Sequence, residues 1–138
     1  MSTRLKEKEE QILQLLEQLT EENRSGKPII VEGQKDAETL KELGINAQII
    51  FAKKGGKSLL NVISEIEGAK IGEVIMLLDF DRRGRELTEK LRRHIEKAGI
   101  KANMHYWLRL HSLVGREVKD VEGLAKYMKT LKSKSGDS

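Results

Sequence analysis

The stretch "VIMLLDFDRRGREL", residues 74–87, decides how this chain folds. Its five consecutive apolar residues are too few for a buried helix and suit a strand covered on both faces. The run ends in Asp79 and Asp81, and Arg82, Arg83, Gly84 and Arg85 follow at once. From residue 82 to Gly99 the pattern becomes helical, so the two acids stand where a buried strand turns into a helix.

The same grammar repeats on both sides. Residues 3–24 read as a helix, with Leu5, Ile12, Leu15, Leu16 and Leu19 on one stripe. "PIIVE" (28–32) is a short strand, and "GQKDAETLKELG" (33–44) is a helix stopped by Gly44. "NAQIIFA" (46–52) is a second strand, followed by the loop "KKGGK" and a helix over 58–68 capped by Ser58. After the strand over 73–79 and the long basic helix, "KANMHYWL" (101–108) reads as a fourth strand, "RLHSLVGRE" as irregular, and 119–131 as a last helix before a frayed basic tail. Strands alternate with helices and are apolar on both faces, so the expected class is α/β, with about four parallel strands flanked by helices. The expected organisation is an amphipathic helix over 1–24, a core domain over 27–110, and a C-terminal helix and tail over 111–138.

The 138 residues amount to one domain's worth of chain. There is no cysteine, which excludes disulfides, thiolate nucleophiles and cysteine-ligated zinc and makes the cytoplasm the expected location. No apolar run is long enough to span a bilayer. The net charge is +4, and it is local. Residues 82–101 carry eight Lys/Arg against three Glu, whereas the first 24 residues carry four against six. Such a basic segment beside two acids suits a polyanionic partner.

Ligands in open α/β sheets bind beyond the carboxyl ends of the strands. There the sequence sets Glu32 and Gly33, with Asp36 one helical turn on, and Asp79 and Asp81. If the first and third strands are neighbours, these acids share one site. Unpaired carboxylates so gathered raise each other's pKa, and a divalent cation with oxygen ligands resolves the conflict. Asp79 and Asp81 would reach one ion or a close pair. Gly84 would let the backbone approach a phosphate, and Arg82, Arg83 and Arg85 would clamp phosphate oxygens. The plainer alternative has the aspartates capping the next helix and pairing with the arginines, which leaves Glu32 unexplained.

"IIVEGQKDAETLKELG" (29–44) and "VIMLLDFDRRGRELTEKL" (74–91) resemble the two motifs of the Toprim domain. Topoisomerases of types IA and II, bacterial-type primases, recombination proteins, overcoming-lysogenization-defect nucleases and the maturase of 5S ribosomal RNA share that domain. The resemblance runs from about Lys27 to about Leu110 and is nearest to small stand-alone archaeal and bacterial members. It implies a compact, Rossmann-like Toprim fold binding Mg²⁺, with Mn²⁺ as a substitute, at the carboxyl edge of the sheet. It also implies Glu32 as general acid/base and metal-site acid, Asp79 and Asp81 as metal ligands, Asp36 as a recurring further acid, and Gly33 and Gly84 as turn glycines. Arg83 stands where type IA topoisomerases carry an acid, which favours the nuclease or primase-like branch. The function so implied is Mg²⁺-dependent phosphodiester chemistry on RNA or DNA, most simply a small nuclease. The alternative is a non-catalytic Mg²⁺- and nucleic-acid-binding module of a larger complex.

Other features add less. "GGKS" (55–58) lacks the first glycine of a phosphate loop, because Phe51 stands there. Lys53, Lys54 and Lys57 in that loop still suit phosphate contacts. His94, His105 and His111 lack metal-ligand spacing. Tyr106, Trp107 and Tyr127 suit packing better than base stacking. Asp120 and Glu122 fit either a helix start or a second acidic group near the site. The leucine stripe of residues 5–19 offers packing on the domain, or a homodimer or protein partner through the N-terminal helix.

Overall fold

The computed structural model describes residues 3–45, 48–53 and 59–134. Helix α1 (Thr3–Arg24) precedes β1 (Ile29–Val31), α2 (Gln34–Glu42), β2 (Ile49–Phe51), α3 (Leu59–Gly68) and β3 (Glu73–Met76). Then come α4 (Arg82–Lys97), β4 (Lys101–Asn103), α5 (His105–Val114) and α6 (Val121–Lys134). The four strands form one parallel sheet in the order β2-β1-β3-β4. The central pair is in register at Ile29↔Ile75 and Ile30↔Met76, so the first and third strands are neighbours, as the shared site requires.

Alternation along the strands divides the core in two. Ile29, Val31, Ile75 and Leu77 face one layer with Ile12, Leu15, Leu16 and Leu19 of α1 and with residues of α2, α5 and α6. Ile30, Ile50, Val74, Met76 and Leu78 face the other layer with Val62 and Ile66 of α3 and Leu91 and Ile95 of α4. Four helices thus cover one face and two the other. The leucine stripe of α1 is consumed by its own domain. A partly buried polar network ties the end of α1 to the sheet on the side away from the acids. Lys27 bridges Glu22 (2.7 Å) and Glu73 (3.5 Å), Asn103 donates to Glu73, and the Tyr106 hydroxyl donates to Glu22. Burial and then the Glu22 contact push the Tyr106 phenol up.

The segment after β4 departs from the sequence reading. Only Lys101–Asn103 is strand, and His105–Val114 is helix, taking in residues 109–114 of the stretch read as irregular, while 115–117 is turn. The Asn103 carboxamide accepts the His105 N–H at 3.0 Å just ahead of α5, whose N-cap position is Met104. Tyr106, Trp107, Leu110 and Val114 then fall on one buried stripe at helical spacing. Residues 46, 47 and 54–58 lie outside the described residues, among them the expected Ser58 cap and the loop lysines Lys54 and Lys57.

Candidate metal and phosphate site

Residues 77–81 lie beyond the end of β3, and separate elements hold them. The Leu77 N–H donates to Ile30 O at 2.9 Å. Leu78 O accepts the indole N–H of Trp107 at 3.0 Å. The Asp79 N–H donates to Glu32 Oε1 at 3.3 Å, and the Phe80 N–H donates to Lys119 O at 2.6 Å. Asp81 closes the turn as N-cap of α4, its Oδ1 accepting the Gly84 N–H at 2.7 Å. The loop that bears the aspartates is therefore fixed by β1, α5, the chain before α6, and α4. Such anchoring pre-organises a site.

Gly84 has a specific cause. A Cβ there would lie 2.2 Å from the Asp79 carbonyl oxygen, so its bareness lets the first turn of α4 rest on the Asp79 backbone. The group that comes close to Gly84 is thus the protein's own chain, where the sequence suggested a phosphate. Gly33 is different. Its φ is −147°, and a Cβ there would meet nothing within 4 Å.

Carboxylate oxygens of Asp36, Asp79 and Asp120 all lie within 4.8 Å of one another. Asp36 is buried on the first turn of α2, where Oδ2 accepts the Gly33 N–H at 3.4 Å. Asp120 opens α6 and accepts the Gly123 N–H at 2.7 Å. Its approach to the site follows from the Phe80–Lys119 hydrogen bond one residue earlier. Both readings of Asp120 therefore hold: it caps a helix and joins the acids. Asp81, expected beside Asp79 on the metal, is exposed and occupied with its cap, outside this three-carboxylate group. Glu32 sits at the rim, nearly buried, with Oε2 3.1 Å from Lys53 Nζ.

Burial, and then the charges of Glu32, Asp36, Asp120 and Asp81, push the Asp79 carboxyl from its ordinary value up to about 7. Burial also raises Asp36, while the Gly33 N–H partly offsets it. Oxygen donors gathered this closely at such a cost fit a hard divalent cation, whose charge would reverse that shift.

The arginines lie on the first turns of α4. Arg82 pairs with Glu86 at 3.2 Å, both largely exposed. Arg83 and Arg85 are exposed and make no ion pair among the described residues. Further along, Arg92 is held between Glu89 and Glu96, so part of the basic helix is neutralised within itself. Lys53 is the one loop lysine among the described residues, and it reaches the site through Glu32. Trp107 and Tyr106 are buried, Trp107 stacking on His111 with ring centres 5.1 Å apart.

A parallel sheet with a glutamate after one strand, an Asp-x-Asp after its neighbour and clustered acids at their shared edge defines a class of α/β metal-site proteins. The Toprim domain family model matches residues 27–108, and the chain belongs to the Toprim domain family. It is 41% identical over 130 residues to the UPF0292 protein of Methanosarcina acetivorans, covering 94% of this chain and 88% of that one. It is 34% identical over 119 residues to a UPF0292 protein of Methanocaldococcus jannaschii, covering 86% and 91%. Among solved structures, a protein from Aquifex aeolicus superposes with a TM-score of 0.69 at 24% identity, covering 79% of this chain and 94% of that one. That likeness concerns the fold. Toprim domains bind divalent metal, typically Mg²⁺, and the acid cluster fits one. No helix among the described residues is long and apolar enough to cross a membrane.

Proposed function

We propose that this protein is a metal-dependent nuclease acting on phosphodiesters of RNA or DNA. The observation that carries the reading is the placement of Glu32. Its carboxylate is aimed by the Asp79 N–H and by Lys53 at the rim of three further acids. Asp79, Asp36 and Asp120 would hold the cation, with Asp81 at the adjoining turn. Bound there, Mg²⁺ or Mn²⁺ supplies Lewis-acid polarisation of a phosphate and a more acidic water. Glu32 takes or returns the proton at the ester oxygen, as a positioned general acid/base does. Arg83 and Arg85, with Arg82 once it exchanges its exposed glutamate for phosphate, stabilise the charge that develops on the phosphoryl oxygens. Lys53 keeps Glu32 in place and adds positive charge beside the reacting group.

The Lys53–Glu32 ion pair also favours a second reading, in which Glu32 is structural and the protein binds nucleic acid without cutting it. One experiment separates the two. Labelled single- and double-stranded RNA and DNA are incubated with Mg²⁺, Mn²⁺ or EDTA and the wild type or Glu32→Gln, with binding measured in parallel. The nuclease reading expects metal-dependent cleavage that Glu32→Gln abolishes while binding survives. Binding without cleavage in both proteins would leave only the second reading.

A further inference from the structure

We propose that the groove between the first turn of α4 and the α5–α6 connection carries the nucleic-acid backbone to the acids, with Arg85 and Arg116 as its phosphate contacts. This rests on the nucleic-acid reading above and names a path for the substrate. The groove encloses about 770 Å³, and Lys8, Arg82, Arg85, His111 and Arg116 line it together with Asp81. A second groove of about 680 Å³ shares Asp81, Gly115, Arg116 and Glu117 with it and opens onto Asp120. The two therefore adjoin at Asp81 and at the segment from Gly115 to Glu117.

Their charges differ. On the first side Lys8, Arg82, Arg85 and Arg116 face Asp81 and Glu117. On the second, Arg116, Lys119 and Lys126 face Asp81, Glu117, Asp120 and Glu122. A polyanion is thus attracted on one side and repelled on the other unless a cation sits among the acids. Within the basic side, Lys8 is matched by Glu117 at 3.6 Å and Arg82 by Glu86 at 3.2 Å. Arg85 and Arg116 have no ion-pair partner among the described residues. Arg85 comes from α4 and Arg116 from the α5–α6 connection, and a guanidinium fork suits phosphate oxygens.

The wall bearing Arg116 is held in shape. Val118 is buried, the Phe80 N–H bonds Lys119 O, and Gly115 lies so near the end of α5 that a Cβ would come 2.5 Å from His111 O. This wall lies beyond residue 108, outside the matched Toprim segment. The C-terminal segment would then complete the substrate path as well as cover the sheet.

The test is fluorescence anisotropy with labelled single-stranded RNA and DNA in Mg²⁺, in a Glu32→Gln background so that the probe survives. Arg85→Ala/Arg116→Ala is compared with its parent across a salt series. Both side chains are exposed, and an unchanged melting temperature checks the fold. The double variant is expected to bind at least about tenfold more weakly. Its slope of log K against log salt should be shallower by about 1.4, at roughly 0.7 per lost single-strand contact. Lys90→Ala/Lys97→Ala removes the same charge elsewhere on the chain and is expected to change binding by less than about threefold. Equal losses in the two double variants, or an unchanged slope for Arg85→Ala/Arg116→Ala, would overturn the path while leaving nucleic-acid binding intact. A parent that binds no oligonucleotide overturns the functional reading and the path together. A parent that binds polyglutamate as tightly as oligonucleotide assigns the groove to an acidic protein and overturns the path.

Discussion

Asp120→Asn removes one negative charge from the acid cluster while keeping the α6 cap, because asparagine caps a helix about as well as aspartate. The lost charge lies within 4.8 Å of carboxylate oxygens of Asp36 and Asp79. At that distance one like-charge pair costs about 0.9 kcal/mol in bulk water and about 3.5 kcal/mol at an effective dielectric constant near 20. The cluster is partly open to solvent, so relief of the two pairs is expected to total about 1–3 kcal/mol. Without metal, Asp120→Asn should therefore be more stable than the wild type, with a melting temperature higher by about 3–10 °C for a domain of this size. With Mg²⁺ at about one hundred times its dissociation constant, the wild type should gain about 2.7 kcal/mol, and the variant should lose most of that gain. The variant's lead over the wild type then shrinks by most of about 2.7 kcal/mol between EDTA and saturating Mg²⁺. Thermal melts at pH 8, where Asp79 is ionised, read this directly. Asp120→Ala is the control, since it also loses the cap, at a cost of about 1 kcal/mol. An Asp120→Asn variant less stable than the wild type in EDTA, or stabilised by Mg²⁺ to the same extent, would refute the reasoning.

Three further predictions concern Asp79 and the two glycines Gly84 and Gly33. The folded state holds the Asp79 proton up to about pH 7, against an ordinary carboxyl value of 3.8 in the unfolded chain. The metal-free protein should therefore lose stability as pH rises from about 4 to about 7, and this contribution should level off above that range. Urea unfolding in EDTA at several pH values, for wild type and Asp79→Asn, isolates the effect; an equal slope in the two proteins would exclude Asp79 as its source. Gly84→Ala should cost about 3 kcal/mol or more, because the new methyl would lie 2.2 Å from a backbone oxygen that cannot move aside cheaply. Gly33→Ala, with open space and extended backbone, should stay within about 1 kcal/mol of the wild type in the same urea titration.

What can be read from the chain alone is local. Five apolar residues followed by Asp79 and Asp81, and "PIIVE" ending in Glu32, announce buried strands with acids at their carboxyl ends. Their alternation with helical segments implies a parallel sheet, and the two motifs together imply the family. The stretch after β4 misleads for a local reason as well. "KANMHYWL" carries apolar residues that either period can accommodate, and the helix is marked by Tyr106, Trp107, Leu110 and Val114 falling on one buried stripe.

Other parts of the site belong to the tertiary structure, because they depend on residues far apart in the chain. Asp120 stands 41 positions after Asp79, and nothing near it in sequence tells a helix cap from a ligand; the Phe80–Lys119 hydrogen bond makes it both. Trp107 reads as simple packing until its indole N–H is found on Leu78 O, fixing the residue just before Asp79. The sequence by itself settled which residue types meet at the carboxyl edge of the sheet. Only the packing of α5 and α6 against that edge decided which carboxylates come within reach of one ion, because a like-charge cluster is defined by separation in space and the strand pattern constrains only the residues on the strands.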